Sequence, residues 1–125
     1  MSQRSLEKSN KHFKKANSKL PLGVTSNFRY WGEDETIYID HASGCRLWDI
    51  DGNEYIDLVL SYGPMIIGHR HRKVQRGVAK ALKNGYSFGA STENEIKLAK
   101  IVCDAFPEMD KVRFVNSGTE AVISG

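Results

Sequence analysis

Arg113-Phe-Val-Asn-Ser-Gly-Thr-Glu-Ala121 is the stretch on which the fold turns. An alternating run over Lys111 to Val115 predicts a buried strand, and it breaks into Ser117-Gly118-Thr119 before the first turn of a helix. The first amides of a helix have no intrahelical partner and carry a partial positive charge, so such a turn suits a single phosphate. Ser117 and Thr119 add hydroxyls, Gly118 removes a side chain, and Glu120 stands in capping-box spacing to Ser117. Read from these residues alone, a Ser-x-x-Glu cap also opens many helices that bind nothing. No lysine follows the glycine, which excludes a nucleoside-triphosphate loop, and GxGxxG spacing is missing, which disfavours a dinucleotide fold.

Working upstream, Thr92 to Phe106 predicts a helix with Ile96, Ala99, Cys103 and Phe106 as its apolar stripe and Thr92 with Glu95 as its capping box. Lys73 to Lys83 predicts another, with Val74, Val78, Ala81 and Leu82 on one face and Asn84-Gly85 ending it. Ile37-Tyr38-Ile39, Arg46-Leu47-Trp48 and Tyr55-Ile56-Asp57-Leu58 are short β-rich runs separated by turn residues, a small antiparallel meander. Asp49, Asp51 and Asn53 do not make a calcium loop, because Gly52 falls at its fourth position and no glutamate at its twelfth. A hairpin turn is the reading. Ser5 to Ser18 predicts an amphipathic helix with Leu6 and Phe13 as its apolar contacts, ended at Leu20-Pro21-Leu22-Gly23.

Composition excludes several classes. The 125 residues are 40% hydrophobic and 26% charged, ordinary for a soluble globular domain, and no apolar run approaches a bilayer span or a secretory core. A cytoplasmic location is expected, with no membrane partner. The net charge is +3, yet the first twenty residues hold six basic residues against Glu7, a local +5 that leaves −2 for the rest. Those lysines lie on the amphipathic helix without interleaved aromatics, so a solvated face is expected and nucleic acid is not. Cys45 and Cys103 have no metal or disulfide spacing and read as reduced, partly buried thiols.

Five motifs in one order carry a resemblance: Trp48-Asp-Ile-Asp-Gly-Asn-Glu-Tyr-Ile-Asp57, Ser61-Tyr-Gly-Pro-Met65, Gly68-His-Arg-His71, Ser87-Phe-Gly-Ala-Ser-Thr-Glu93 and Val115-Asn-Ser-Gly-Thr-Glu-Ala121. From about Leu6 to Gly125 the chain resembles the N-terminal quarter to third of class III pyridoxal-phosphate (PLP) aminotransferases, closest to the glutamate-1-semialdehyde 2,1-aminomutase branch. The resemblance implies an α/β chain, the truncated N-terminal portion of PLP-dependent transferase fold type I. Residues 1–66 would form the N-terminal helix and β-meander, and 67–125 the incomplete beginning of the large PLP-binding domain.

The same resemblance implies site residues. Ser117, Gly118 and Thr119 match the segment that binds the cofactor phosphate. Gly23-Val-Thr-Ser26 and Arg29 are similar to the segment whose serine and arginine hold the substrate carboxylate, a task suited to a guanidinium fork. Tyr62 takes the place of a pocket aromatic, commonly tryptophan. His69 and His71 are structural in the family, and no metal is expected. Tyr62, Arg72 and Ser91 depart from the aminomutase pattern, so an aminotransferase acting on another amino acid stands beside it. The lysine that bonds the cofactor lies downstream in the family, so no catalytic residue is assigned here and the 125 residues alone are expected to be inactive. The expected partners are a small amino acid or semialdehyde substrate and a second copy in a homodimer. The competing expectation is a short non-catalytic module that pairs with a full-length subunit.

Overall fold

The computed structural model describes residues 4–125. They fall into two compact units, one reaching to Lys83 and one from Asn84 to Gly125.

The first unit opens with helix α1, Glu7–Asn17. Leu6 at its N-cap supplies no side-chain acceptor, and the cap comes from elsewhere in the chain. Asp51 Oδ1 accepts the Lys8 amide (2.7 Å), and Asp51 Oδ2 accepts the Ser9 amide (2.9 Å) and hydroxyl (2.6 Å). A carboxylate at a helix N-terminus satisfies orphan amides and faces the positive end of the dipole. Burial alone would raise the Asp51 carboxyl, but these hydrogen bonds outweigh it and hold it below the ordinary carboxylate range.

Strands β1 (Ile39–Ser43), β2 (Arg46–Asp49) and β3 (Glu54–Ile56) form the expected antiparallel meander in the order β1-β2-β3. The first strand sits further along the chain than expected, since Ala42 and Ser43 pair with Leu47 and Arg46 rather than turning. Pairing with β2 overrides the local turn preference of Ala42-Ser43-Gly44 and leaves Gly44-Cys45 as the turn. Cys45 is therefore exposed rather than partly buried. The His41 ring stacks on Trp48 across the ladder at 4.7 Å. Asp49 closes the β2–β3 hairpin, accepting the Asp51 and Asn53 amides on Oδ1 and the Tyr55 hydroxyl on Oδ2 (2.7 Å).

Among the described residues Phe13 is the one large apolar side chain that is buried, beside Tyr30 and against Gly23. A Cβ on Gly23 would meet the Phe13 ring at 2.9 Å, and Gly23 has φ +65, so both packing and backbone require glycine there. Ser9, Thr36, Asp49 and Asp57 share the buried interior, so polar groups tie this unit together as much as apolar ones do. Helix α2, Arg72–Leu82, completes it.

The second unit holds α3, Glu93–Ala105, and α4, Gly118–Ser124. Glu95 reaches back to accept the Thr92 amide (2.8 Å) and hydroxyl (3.0 Å), as the capping-box spacing predicts. The strand expected at Lys111 to Val115 is not formed, and Phe114 and Val115 are exposed rather than buried. A strand exists only as part of a ladder, and no described segment pairs with this one.

Candidate functional site

Of the substrate-side residues expected from the sequence, Arg29 and Tyr62 line a hollow of about 630 Å³ in the first unit, together with Trp31, Tyr38, Asp57 and His69. Ser26 is not part of that lining but is tied to it locally: its carbonyl accepts the Arg29 amide (2.9 Å), closing a 3₁₀ turn over Asn27–Arg29. The Arg29 guanidinium is exposed, with the Thr25 hydroxyl at 3.2 Å. No other described residue takes its remaining N–H donors, a set that suits a carboxylate.

Tyr62 reaches the same hollow by an unusual backbone. Leu60, Ser61 and Tyr62 all have positive φ (+52, +53 and +63), and Gly63 follows at +120. Left-handed geometry costs non-glycine residues roughly 1–2 kcal/mol each, so the run persists only where its surroundings hold it. Asp57 Oδ1 accepts the Val59 and Leu60 amides at 2.9 Å each. Its Oδ2 accepts from His69 Nε2 at 2.6 Å. The His69 bond, with those two amides, holds the Asp57 carboxyl below the ordinary range against a smaller opposing effect of burial. His69 is fixed in turn by paired backbone bonds with Gly44 (2.8 and 2.9 Å). At the far end of the run the Tyr62 hydroxyl donates to the Phe28 carbonyl (3.0 Å), and the two rings lie 5.7 Å apart.

His69 is thus spoken for by Asp57, and His71 stands exposed before α2. Among the described residues no three His, Cys, Asp or Glu side chains gather as metal ligands would. Asp57 and the left-handed run were not singled out from the sequence. Residues 60–62 contain no glycine to announce positive φ, but an aspartate two and three residues before amides it accepts is a recognisable Asx pattern.

The Ser117–Thr119 turn belongs to the second unit. The Ser117 hydroxyl accepts the Glu120 amide (3.2 Å), the half of the capping box expected from the spacing that forms, while Glu120 Oε2 accepts the amide of Asn116, one residue before the N-cap (2.7 Å). The Gly118 and Thr119 amides make no hydrogen bond among the described residues. A Cβ on Gly118 would meet nothing within 4 Å, and its φ lies outside the left-handed region, so the chain's own packing does not call for glycine there. Two bare amides, two hydroxyls and an open approach form a donor set that suits a phosphate.

The profile of the aminotransferase class-III family matches residues 30–125. A glutamate-1-semialdehyde 2,1-aminomutase of Clostridium novyi is 46% identical over 119 residues, covering 94% of this chain and 28% of that protein. A β-phenylalanine aminotransferase from Variovorax paradoxus superposes with a TM-score of 0.88 at 27% identity, over 94% of this chain and 27% of that one. A transaminase solved with PLP bound gives 0.89 at 32% identity, over 98% and 28%. The chain therefore spans a little over a quarter of the length of the relatives it matches. Its fold is the N-terminal portion of the PLP-dependent transaminase fold.

Proposed function

The chain belongs to the aminotransferase class-III family, and on that footing we propose that the complete protein is a PLP-dependent enzyme that transfers an amino group on a small amino acid or semialdehyde. The aminomutase branch is the nearer reading, supported by the 46% identity to the Clostridium novyi protein. The observation that carries the proposal is the turn at Ser117–Thr119, where Gly118 and Thr119 present amides that no described residue uses.

PLP, when bound, supplies an electron sink for bonds broken at the substrate's amino-bearing carbon. The roles proposed for this chain's residues are of another kind. Gly118 and Thr119 donate their amides to the phosphate, and Ser117 and Thr119 add their hydroxyl protons. The Ser117 oxygen accepts from Glu120, which leaves its own proton free to donate. Arg29 offers a planar pair of N–H donors to the substrate carboxylate, with Ser26 beside it, and Tyr62 walls the hollow and limits what fits. A second copy of the protein is the proposed partner and the cytoplasm the proposed compartment. The helices of the described residues are too short and polar to cross a membrane.

Replacing Gly118 by valine in the complete enzyme tests the proposal without relying on turnover. The expected result is a loss of PLP retention of at least tenfold, read from cofactor absorbance after dialysis, with an unchanged urea midpoint for the apoenzyme. Unchanged PLP retention would contradict it.

A further inference from the structure

We propose that Asp57 and His69 act together as a positioning pair for Arg29, working through the Leu60–Tyr62 run. The proposal rests on the reading of Arg29 and Tyr62 as substrate-side residues. It adds two residues to which that reading gives no role.

The chain of contacts is continuous. Paired backbone bonds to Gly44 fix His69, and its ring nitrogen fixes Asp57 Oδ2. The other carboxylate oxygen takes the Val59 and Leu60 amides and so starts the left-handed run at its first residue. Backbone bonds from Tyr62 to Val59 (2.9 Å) and from Gly63 to Leu60 (3.0 Å) close that run. It ends by aiming the Tyr62 hydroxyl at the carbonyl of Phe28, the middle residue of the Asn27–Arg29 turn. Phe28 is 74% exposed and Tyr62 66%, so little else in the unit holds these two segments together. Asp57, by contrast, is 7% exposed, which gives the sequence a rigid anchor at one end and an adjustable guanidinium at the other. A three-residue strained run without glycine is retained where it serves placement, and here it places one hydrogen bond on the turn that carries Arg29.

The test uses the complete enzyme with Asp57→Ala, Tyr62→Phe and the double variant. Glutarate, an unreactive dicarboxylate, is titrated calorimetrically; KM and kcat are measured with the amino-bearing substrate; hydrogen exchange is followed over residues 26–30 and 57–63. Tyr62→Phe is expected to weaken glutarate about tenfold, in keeping with one lost hydrogen bond, to raise KM more than it lowers kcat, and to speed exchange at 26–30 alone. Asp57→Ala is expected to do the same with faster exchange in both segments, and the double variant to bind glutarate no worse than Asp57→Ala. Additive penalties, or Asp57→Ala with wild-type exchange at 26–30, would overturn the proposal. Should Asp57→Ala not fold, Tyr62→Phe decides: wild-type glutarate affinity and exchange in that variant overturn it. Exchange and binding need no turnover, so an enzyme that moves no amino group ends the proposed function without deciding this test. Amino transfer with a silent Tyr62→Phe ends this proposal alone.

Discussion

Two glycines with opposite surroundings separate structural demand from proposed function. Gly68 has φ +78, and a Cβ there would come within 2.8 Å of the Gly44 carbonyl, where the backbone cannot yield. Gly68→Ala should lower stability by about 2 kcal/mol or more, combining left-handed strain with a steric clash, read as a fall in the urea midpoint. Gly118 meets no such wall, and its substitution should leave stability near wild type. Asp57 makes a pH prediction. Its carboxyl is held low in the folded protein, so its stabilisation is fully present above the ordinary aspartate value near pH 4 and is lost as pH falls through the lowered value. A urea-midpoint series should show that acid loss, and Asp57→Asn should flatten it. The Ser117–Glu120 cap could be read from spacing because both partners lie within one helical turn. Asp57 was overlooked because its work depends on three residues in a conformation their side chains do not advertise.

The elements were legible to the extent that their causes are local. Helices α2 and α3 begin and end within a residue or two of where apolar period, Thr92, Asn84-Gly85 and Pro107 put them. Helix α1 also begins within two residues of the Ser5 start its period suggests, but its cap was not legible, because it sits more than forty residues away in the β2–β3 hairpin. Replacing Asp51 by alanine should therefore destabilise the protein by about 1–2 kcal/mol, the cost of a lost cap, and speed exchange of the Lys8 and Ser9 amides. A loss confined to the hairpin, with those amides unchanged, would assign Asp51 to the turn alone. The Lys111–Val115 segment failed as a strand for the complementary reason: alternation marks a candidate face, but only a neighbouring strand makes a ladder.

At the scale of the whole molecule, the apolar stripes that identified α2 and α3 remain uncovered: Val74, Val78 and Leu82 are each about half exposed, and Ile96 and Phe106 more so. Patterning of this kind implies burial against something, and the relatives carry more than three times the length of this chain. A protein of these 125 residues alone should bind a hydrophobic dye strongly and unfold over a broad range of urea, while the complete protein should do neither. The substrate-side residues and the phosphate turn lie in separate compact units, and their joint role is a claim about the complete enzyme. That claim turns on where the cofactor's anion binds, and one comparison addresses it: the affinity of the complete enzyme for PLP against pyridoxal, which lacks the phosphate, in wild type and in Ser117→Ala/Thr119→Val. Loss of two charge-assisted donors should shrink the preference for PLP by about a hundredfold while leaving pyridoxal affinity alone; an unchanged preference, or equal weakening of both, would contradict the assignment of this turn to the phosphate.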